Sequence, residues 1–315
     1  MTVLLTGGAG YIGAHVARLL KERDFDVVVV DDLTTGDSER IAGTDVVSFD
    51  LSADAAANDL SQIMKSRDIT SVVHVAGKKQ VGESVNNPTW YYRQNVHSMT
   101  NLLTAMQVNC VERLVFSSSA AVYGMPDVEE VDERVECSPI NPYGQSKLVC
   151  EWMSRNAALA WGLRVANLRY FNVAGSGWSE LKDPSALNLI PIVLKSLVEH
   201  RQPVVFGSNY PTPDGTCIRD YVHVLDLAAA HIDALEYLDR PDRSYDTFNV
   251  GTGTGASVYE VVNTISSHVG RKIQPVVDGR RAGDPARLIA NVARIQNELG
   301  WKASYGLSEI ISSAI

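Results

Sequence analysis

The sequence has few cysteines, and their positions argue against a metal site. Cys110, Cys137, Cys150 and Cys217 are the only ones among 315 residues, and they show none of the paired spacings typical of metal ligands. A chain of this length can bury a sizeable apolar core and does not depend on disulfide bonds for stability. We therefore interpret the four as reduced thiols and predict a cytoplasmic protein without a bound metal.

Long apolar segments and a broad positive charge are also lacking. No apolar run reaches membrane-spanning length, and the N-terminus enters a strand pattern without a basic flank and a cleavage site. The chain carries 37 acidic and 28 basic residues, which gives a net charge of −9. Proteins that coat nucleic acid or anionic membranes need broad positive fields. We therefore predict neither partner, whereas a small phosphate-bearing ligand needs only a few local donors.

A glycine-rich turn follows the first apolar run, residues 3–6, and precedes a helical pattern over residues 14–23. The turn reads Gly7-Gly8-Ala9-Gly10-Tyr11-Ile12-Gly13. Its glycines fit the dinucleotide fingerprint GxGxxG through Gly8, Gly10 and Gly13, and the variant GxxGxxG through Gly7, Gly10 and Gly13. Small residues at such a turn let the backbone approach a pyrophosphate, which the helix N-terminus also favours. The turn predicts a dinucleotide site.

Two acidic residues support this interpretation. A second apolar run, residues 27–30, ends in Asp31 and Asp32, near the spacing expected for a ribose-binding carboxylate. We favour ribose contact for Asp31, and for Asp32 a role as a helix N-cap stays open. Neither acid is followed directly by an arginine that could bind a 2′-phosphate, so NAD is preferred over NADP.

Strand and helix patterns continue to alternate along the first half of the chain. The strand patterns cover residues 3–6, 27–30, 46–49, 71–75, 114–116 and 164–169. This alternation predicts an α/β fold with a Rossmann-type, doubly wound parallel sheet. Beyond about Gly175 shorter, turn-rich segments predict a smaller C-terminal α/β lobe that binds substrate. We predict an NAD-binding domain over residues 1–174, which a segment near 222–250 rejoins, and a second domain over residues 175–315.

A tyrosine and a lysine four residues apart suggest a device for proton transfer. Tyr143 and Lys147 begin an amphipathic run, and on a helix this spacing puts them on one face, one turn apart. A nearby ammonium stabilises a phenolate and lowers the pKa of the phenol. Ser119, which follows the strand pattern 114–116, could hold a substrate hydroxyl while a base removes its proton. His74 lies inside an apolar strand pattern, which favours a hydrogen-bonded core histidine over a catalytic one.

These features resemble the extended short-chain dehydrogenase/reductases that act on nucleotide sugars, and among them the UDP-glucose 4-epimerases in particular. The segments that carry the resemblance are TGGAGYIG at residues 6–13, AGKKQVGES at 76–84, NPYGQSK at 141–147, LRYFN at 168–172 and RDYVHV at 219–224. The resemblance covers nearly the whole chain, and five segments in the same order are specific at the level of the family.

The resemblance implies a tightly held NAD. The positions that match the family's cofactor contacts are Gly7, Gly10, Tyr11, Ile12, Gly13, Asp31, Asp32, Asp50, Leu51, Val75, Ala76, Gly77, Lys79, Asn95, Ser117, Tyr143, Lys147 and Tyr170. In the family the glycines approach the pyrophosphate, while Asp50 and Leu51 would contact the adenine. Lys79 and Asn95 would lie along the nicotinamide half, although an exposed basic residue is the alternative for Lys79.

The resemblance also implies a UDP-sugar substrate. The matching positions are Ser119, Tyr143, Asn172, Asn188, Leu189, the Val204 to Phe206 strand, Arg219, Arg281, Asp284 and Leu288. Arginine suits a diphosphate because its planar guanidinium pairs with two oxygens at once. Asp284 could accept from a ribose hydroxyl or begin a turn before Pro285. Leu288 would border the substituent at the sugar C2, and its intermediate size predicts a preference for UDP-glucose and UDP-galactose with weak tolerance of N-acetyl sugars.

The implied reaction is an inversion at C4 that interconverts UDP-glucose and UDP-galactose. Tyr143 would take the proton of the C4 hydroxyl while hydride passes to NAD, and the resulting 4-keto sugar would rotate before hydride returns to its other face. Related dehydratases carry acidic residues just after the strand-end hydroxyl, where this chain has Ala120 and Ala121. Epimerisation of UDP-glucuronate or of N-acetyl sugars stays open, as does a non-catalytic, NAD-binding regulator.

The family resemblance further implies a homodimer. Two helices from each subunit would form the interface, and residues 91–108 and 151–161 are the candidate segments. An apolar stripe on a helix more often faces its own core, which is the alternative for both segments.

Overall fold

Strands and helices alternate along the chain in the computed structural model, which describes residues 1–185, 187–281 and 283–315. The strands are β1 (Thr2–Thr6), β2 (Asp26–Asp31), β3 (Asp45–Ser48), β4 (Ser71–His74), β5 (Arg113–Ser119), β6 (Arg164–Tyr170), β7 (Asn172–Ala174), β8 (Val204–Phe206), β9 (Ile218–His223), β10 (Tyr245–Val250), β11 (Gly255–Ser257), β12 (Val276–Asp278) and β13 (Arg287–Leu288). The helices are α1 (Tyr11–Glu22), α2 (Ala56–Ser66), α3 (Val81–Asn86), α4 (Pro88–Tyr92), α5 (Ser98–Val108), α6 (Pro142–Trp161), α7 (Leu189–Val198), α8 (Val224–Tyr237), α9 (Val258–Val269), α10 (Ala293–Leu299) and α11 (Leu307–Ala314).

The described residues form two compact units. The first comprises Met1–Val122, Pro139–Arg169 and Ala228–Phe248, and the second comprises Tyr123–Ser138, Tyr170–Leu227 and Asn249–Ile315. The division of the chain into domains at residue 174 stays a prediction.

A seven-stranded sheet forms the centre of the first unit, within the described part of the chain. Its strand order is β10-β6-β5-β4-β1-β2-β3, and the pairs β1–β2, β1–β4, β2–β3 and β4–β5 are parallel. The strand order reverses after β1, which is the arrangement of a doubly wound nucleotide-binding sheet. The predicted fold class is therefore confirmed.

Apolar side chains explain why this sheet is covered by helices. Strands β1, β2 and β4 are nearly continuous runs of buried valine and leucine, as expected for parallel strands that are buried on both faces. Leu4 and Phe116 of the sheet pack in one cluster with Leu60 of α2 and Leu102 of α5. Because β1, β4 and β5 end at the same edge of the sheet, the segments that follow them are brought together there.

Two elements differ from the patterns read in the sequence. β5 continues through Ser119, so its three serines belong to the strand itself and do not follow it. The predicted long helix over residues 91–108 begins earlier, at Pro88, and includes a π-helical turn at Arg93–His97 between α4 and α5. The π-helical turn adds a residue to the helix locally, and such turns are frequent at functional sites.

His74 is a core histidine, as predicted. Its Nδ1 lies 2.6 Å from the Thr6 hydroxyl, and the residue is fully enclosed at the end of β4. Burial lowers the pKa of His74 to about 3, and the charge of Lys147 adds to the effect. The imidazole is therefore neutral at physiological pH.

This buried histidine should make the protein sensitive to acid. The unfolded chain binds a proton below the ordinary pKa of 6.5 that the folded chain does not bind, so the free energy of unfolding falls as pH drops. We expect His74 alone to cost about 2 kcal/mol of stability between pH 6.5 and pH 5. Denaturant unfolding at both pH values should show a shallower loss in His74→Val than in wild type. The exposed His268 offers a control, since His268→Ala should keep the wild-type slope; equal slopes for all three proteins would contradict the assignment.

The second unit is built on short strands. β9 pairs in parallel with β7 and β13 and antiparallel with β11, and β8 pairs in parallel with β12. Helices α7, α9 and α11 bury apolar residues in one cluster with Tyr221 of β9. In the described part of the chain, no helix combines the length and apolar character that crossing a membrane requires.

Candidate active site

The glycine turn between β1 and α1 is closely packed against the rest of the sheet edge. Gly7 has a φ of +73°, and a Cβ there would lie 2.6 Å from the backbone nitrogen of Ala76. A Cβ on Gly13 would lie 2.0 Å from the carbonyl oxygen of Gly7. These two positions therefore require glycine, because any side chain would force the backbone apart.

The start of helix α1 is open to a ligand. Gly10 is its N-cap residue and supplies no side-chain hydrogen bond, and the first turn contains no acidic residue. The first backbone N–H groups of a helix have no partner within the helix and favour negative charge. Tyr11 and Ile12 form the first turn of α1 directly after Gly10. The turn therefore offers donors to a pyrophosphate, and that contact stays a prediction.

Asp31 ends β2 beside this turn. One carboxylate oxygen accepts the N–H of Ala9 at 2.9 Å, and the other accepts the N–H of Leu33 at 2.9 Å. Burial raises the pKa of Asp31, and the two backbone donors partly offset this effect. Among the described residues each carboxylate oxygen accepts a single hydrogen bond, so the group can receive further hydrogen bonds from a ribose.

Asp32 is held by a lysine that the sequence did not single out. Its carboxylate accepts from the N–H and the hydroxyl of Thr34 and pairs with Lys78 at 3.3 Å. Burial, the largest influence, would raise the pKa of Asp32, but the Thr34 donors and Lys78 outweigh it and the pKa is lowered. Asp32 thus closes a turn with Thr34 and is not a helix N-cap.

The two residues predicted to contact adenine, Asp50 and Leu51, differ from Lys79 in their surroundings. Leu51 is buried, and Asp50 accepts from the N–H and the hydroxyl of Ser52, each at 2.8 Å. Lys79 is exposed, and its ammonium lies 6.0 Å from the centre of the Tyr11 ring. Lys79 and Tyr11 were both predicted to contact the cofactor, and the structure brings them together.

Asn95 joins the loop after β4 to helix α6. It lies in the π-helical turn, where its Oδ1 accepts the N–H of Lys78 at 2.8 Å and its Nδ2 donates to the Ser146 hydroxyl at 2.9 Å. A Cβ built on Gly77 would lie 3.2 Å from Asn95 Oδ1 and 3.3 Å from Lys147 Nζ. Gly77, Asn95 and Lys147 therefore lie close together, and their contact with the cofactor stays a prediction. Val75 and Ala76, which precede Gly77, are half-buried.

Helix α6 is positioned by the residues around its first turn. Asn141 is the N-cap and accepts the N–H of Gly144 at 2.9 Å, and Pro142 occupies the first helical position. A Cβ on Gly144 would lie 2.5 Å from the carbonyl oxygen of Ala121, so glycine permits close approach to the turn that follows β5. Tyr143 is therefore placed at the end of β5 by its two neighbours in sequence.

The candidate catalytic group of the first unit consists of Ser119, Tyr143 and Lys147. The Ser119 hydroxyl hydrogen-bonds with the Tyr143 phenol, and Lys147 Nζ donates to the carbonyl oxygen of Ser117 at 2.9 Å. All three side chains are more than nine-tenths buried. The hydroxyl of Ser117 lies 2.7 Å from Nε2 of His231, while its carbonyl accepts from Lys147.

Burial dominates the acid–base properties of this group. It raises the pKa of Tyr143, and the hydrogen bond from Ser119 offsets this only in part. It lowers the pKa of Lys147 to about 8, while the nearby Cys150 and Glu151 act in the opposite direction. The expectation that Lys147 lowers the pKa of Tyr143 stays a prediction, because burial and the Ser119 hydrogen bond set the net shift in the chain by itself.

In the second unit, strand pairing collects three of the predicted substrate residues. Asn172 of β7 lies opposite Tyr221 of β9, and Leu288 of β13 lies opposite Arg219 of β9. The Arg219 guanidinium is paired with Asp284 at 2.5 Å. One oxygen of Asp284 thus orients Arg219, and a ribose contact of Asp284 stays a prediction.

The remaining predicted substrate residues lie on neighbouring short elements of this unit. The Arg281 guanidinium stacks 3.8 Å from the centre of the Phe206 ring at the end of β8, the strand that Val204 begins. Asn188 is the N-cap of α7, and Leu189 is its first residue. Tyr170, which was predicted to contact the cofactor and not the substrate, is the last residue of β6.

Comparison with known proteins decides the family. Residues 3–251 match the model of the NAD dependent epimerase/dehydratase family. The chain belongs to this family. The UDP-glucose 4-epimerase of Azospirillum brasilense is 44% identical over 99% of this chain and 90% of its own length. The UDP-glucose 4-epimerase of Corynebacterium glutamicum is 41% identical over 96% of this chain and 90% of its own length.

Solved structures of epimerase/dehydratase family members agree with this fold. UDP-glucose 4-epimerase from Stenotrophomonas maltophila, solved with bound NAD and formylated UDP-arabinopyranose, matches 100% of this chain and 96% of that chain with a TM-score of 0.94 at 38% identity. UDP-glucose 4-epimerase from Brucella ovis, in complex with NAD, matches 99% of this chain and 97% of that chain with a TM-score of 0.93 at 39% identity. The family resemblance read from the five sequence segments is confirmed.

Proposed function

We propose that this protein is a UDP-glucose 4-epimerase, an isomerase that uses bound NAD to interconvert UDP-glucose and UDP-galactose. The buried group of Ser119, Tyr143 and Lys147 carries the proposal, because it provides a phenol, a hydroxyl and an ammonium at one point of the sheet edge. Similarity over nearly the full length to UDP-glucose 4-epimerases supports it, and the predicted enzyme class and cofactor are confirmed at that level.

The residues of the first unit fit NAD. The turn at Gly7 to Gly13 offers uncapped N–H groups and no side chain in the way of a pyrophosphate, and Asp31 has free acceptor positions for a ribose. Asn95 and Lys147 would lie along the nicotinamide half. When bound, NAD accepts hydride from the sugar C4 and returns it, and its positive charge opposes protonation of the nearby Tyr143.

The chain itself supplies proton transfer and positioning. The Tyr143 phenolate oxygen takes the proton from the sugar C4 hydroxyl, and the Ser119 hydroxyl holds the C4 oxygen in place. Lys147, fixed by the Ser117 carbonyl, favours the phenolate as an ammonium. In the reverse step Tyr143 returns the proton to the C4 oxygen. Inversion requires the 4-keto sugar to present its other face between the two steps.

Residues of the second unit bind the nucleotide part of the substrate in this proposal. Arg219 and Arg281 pair with diphosphate oxygens, and the ion pair with Asp284 orients the Arg219 guanidinium beforehand. The Arg281 guanidinium is already held against the Phe206 ring. Preorganised arginines lose less conformational freedom when a substrate binds.

Epimerisation is favoured over dehydration by the turn after β5. Ala120 and Ala121 begin this 3-10 turn, where a dehydratase needs groups that exchange protons with the substrate. Methyl groups cannot do so, hence the 4-keto sugar is reduced again and does not lose water.

Separate incubation with UDP-galactose, UDP-N-acetylgalactosamine and UDP-glucuronate tests the proposal. We expect UDP-glucose from the first and at least tenfold slower turnover of the second, because Leu288 leaves limited room at the sugar C2. Comparable turnover of the N-acetyl sugar would refute this preference. A protein that retains NAD and turns over none of the three would be a regulator and not an epimerase.

A homodimer in the cytoplasm is part of the proposal. Trp152 and Leu159 of α6 and Val108 of α5 are exposed apolar residues, with 55%, 78% and 69% of their surface accessible. Association of two copies through these helices would cover them. Sedimentation at micromolar concentration should give twice the mass of one chain, and a monomer would contradict this part of the proposal.

A further inference from the structure

A buried ion pair joins α6 to β6 one helical turn after Lys147. Arg169 Nε donates to Glu151 Oε1 at 2.9 Å, and Arg169 Nη2 donates to Glu151 Oε2 at 2.6 Å. The Ser118 hydroxyl donates to the same Glu151 Oε1 at 2.5 Å. Glu151 and Ser118 are almost fully buried, and Arg169 is 7% exposed. The carboxylate thus connects α6 to β5 and β6.

A contribution to folding stability is a weak explanation for the buried ion pair of Glu151 and Arg169. Removing two charges from water costs several kcal/mol for each ion, and the attraction between them repays this only with good geometry. Apolar residues of similar volume often do equally well or better in such positions. The ion pair fixes geometry as well, because a bidentate contact between Arg169 and Glu151 holds both side chains in one orientation.

The orientation of the Glu151 carboxylate matters because this carboxylate holds Ser118. It is the middle residue of the catalytic strand end, residues 117–119 of β5. The Ser117 carbonyl, which accepts from Lys147, belongs to the same peptide group as the Ser118 nitrogen. The next hydroxyl along the strand is that of Ser119, which bonds with Tyr143. A hydrogen bond that holds the Ser118 hydroxyl therefore also fixes the positions of the Ser117 carbonyl and the Ser119 hydroxyl on either side of it.

Helix α6 contacts this strand end at two points that are one turn apart. Lys147 reaches the Ser117 carbonyl, and Glu151 reaches the Ser118 hydroxyl four residues later. The Tyr245 hydroxyl also donates to the backbone carbonyl of Glu151 at 3.2 Å, which ties this part of α6 to β10. Sliding or rotation of the helix relative to the strand would break both contacts.

We propose that Glu151 and Arg169 are positioning residues that hold the catalytic strand end in place through the Ser118 hydroxyl. They touch no reacting atom in this inference. Their effect is to keep the proton acceptor and its partners at a fixed separation during both proton-transfer steps. The inference rests on the proposed epimerase function, which it extends by three residues.

Three variants separate positioning from stability. Glu151→Leu/Arg169→Met replaces the ion pair by apolar side chains, and Ser118→Ala removes the hydroxyl but leaves the ion pair intact. Ser154→Ala is the matched control, since Ser154 is a fully buried hydroxyl on α6 that donates to the Glu151 backbone carbonyl at 2.9 Å and to Asn167 Oδ1 of β6 at 3.4 Å. All three proteins should fold, with thermal midpoints that differ by about 5 °C or less.

Steady-state turnover of UDP-galactose provides the first measurement. We expect kcat to fall about 100-fold in the double variant and about 10-fold in Ser118→Ala, because misplacement of reacting groups by about 1 Å has effects of this size. KM should stay within about twofold, since the UDP-binding residues are unchanged. Ser154→Ala should keep both constants near the wild-type values.

Amide hydrogen exchange of residues 117–121 provides a measurement that does not depend on turnover. Exchange should be faster in the double variant and in Ser118→Ala and unchanged in Ser154→Ala. Wild-type kcat in Ser118→Ala, or equal losses in Ser118→Ala and Ser154→Ala, would overturn the proposal. If the double variant does not fold, Ser118→Ala decides by itself. If wild type turns over no UDP-sugar, the proposed function fails, and exchange still decides whether the strand end is held in this way.

Discussion

Replacing Tyr143 by Phe should lower kcat for UDP-galactose by about 100- to 10,000-fold, the range that loss of a general base produces. The phenol ring is buried at the start of α6, and Phe fills the same space. Only the oxygen that bonds with Ser119 disappears, so the fold and the bound NAD should be retained. Turnover of UDP-galactose and the NAD content of the purified variant are the measurements.

A second buried tyrosine provides the control for this experiment. Tyr237 lies in α8, and its hydroxyl donates to Asp246 at 2.9 Å. Tyr237→Phe should cost about 1 kcal/mol of stability through the lost hydrogen bond and leave kcat near wild type. Full turnover by Tyr143→Phe would refute the assignment of the base. A similar loss in both variants would mean that removal of a buried hydroxyl is enough to impair the enzyme.

The residues found by sequence reasoning share a local signal. The glycine turn, Asp31 at a strand end and the spacing of Tyr143 and Lys147 each belong to a short segment whose backbone conformation follows from its own residues. Parallel strands then carry these segments to one edge of the sheet. Consistency among local patterns was therefore enough to predict the fold class and the candidate catalytic group.

The residues that were missed depend on tertiary contacts. Glu151 and Arg169 are 18 positions apart on different elements, and each alone reads as a surface charge. Asp284 and Arg219 were both assigned to the substrate, and only strand pairing shows that they pair with each other. The repeated spacing from Tyr143 through Lys147 to Glu151 is the one sequence signal that places Glu151 on the catalytic face of α6.

The directions in which the pKa values of Tyr143 and Lys147 shift could be obtained only from the structure. The sequence argument weighed the charges of Lys147 and of the nicotinamide ring, while the degree of burial decides the direction in which the pKa of Tyr143 shifts in the chain by itself. In the chain by itself the pKa of Tyr143 is raised and that of Lys147 is lowered, both mainly by burial. In the proposed mechanism the positive charge of bound NAD would favour the phenolate, which would couple proton transfer to occupation of the NAD site.

The glycine turn gives the second large prediction, because two of its glycines are required for different reasons. A methyl group on Gly13 would lie 2.0 Å from the Gly7 carbonyl oxygen and 2.7 Å from the Gly8 Cα, both of them backbone atoms that cannot turn away. We expect Gly13→Ala to lose about 3 kcal/mol of stability in the absence of NAD, as overpacked sites do. Gly10 has a φ of −78°, and a methyl there would lie 3.4 Å from the Gly7 oxygen.

Gly10→Ala should therefore fold with less than about 1 kcal/mol of loss and still bind NAD poorly, because its methyl group would stand where the pyrophosphate approaches α1. Unfolding with and without excess NAD separates the two effects, since a ligand stabilises the folded chain only in proportion to its affinity. Wild type should gain several kcal/mol from NAD, and Gly10→Ala should gain much less. If Gly10→Ala gains as much as wild type, the pyrophosphate does not lie at this turn, and the assignment of Gly7 to Gly13 to the cofactor fails with it.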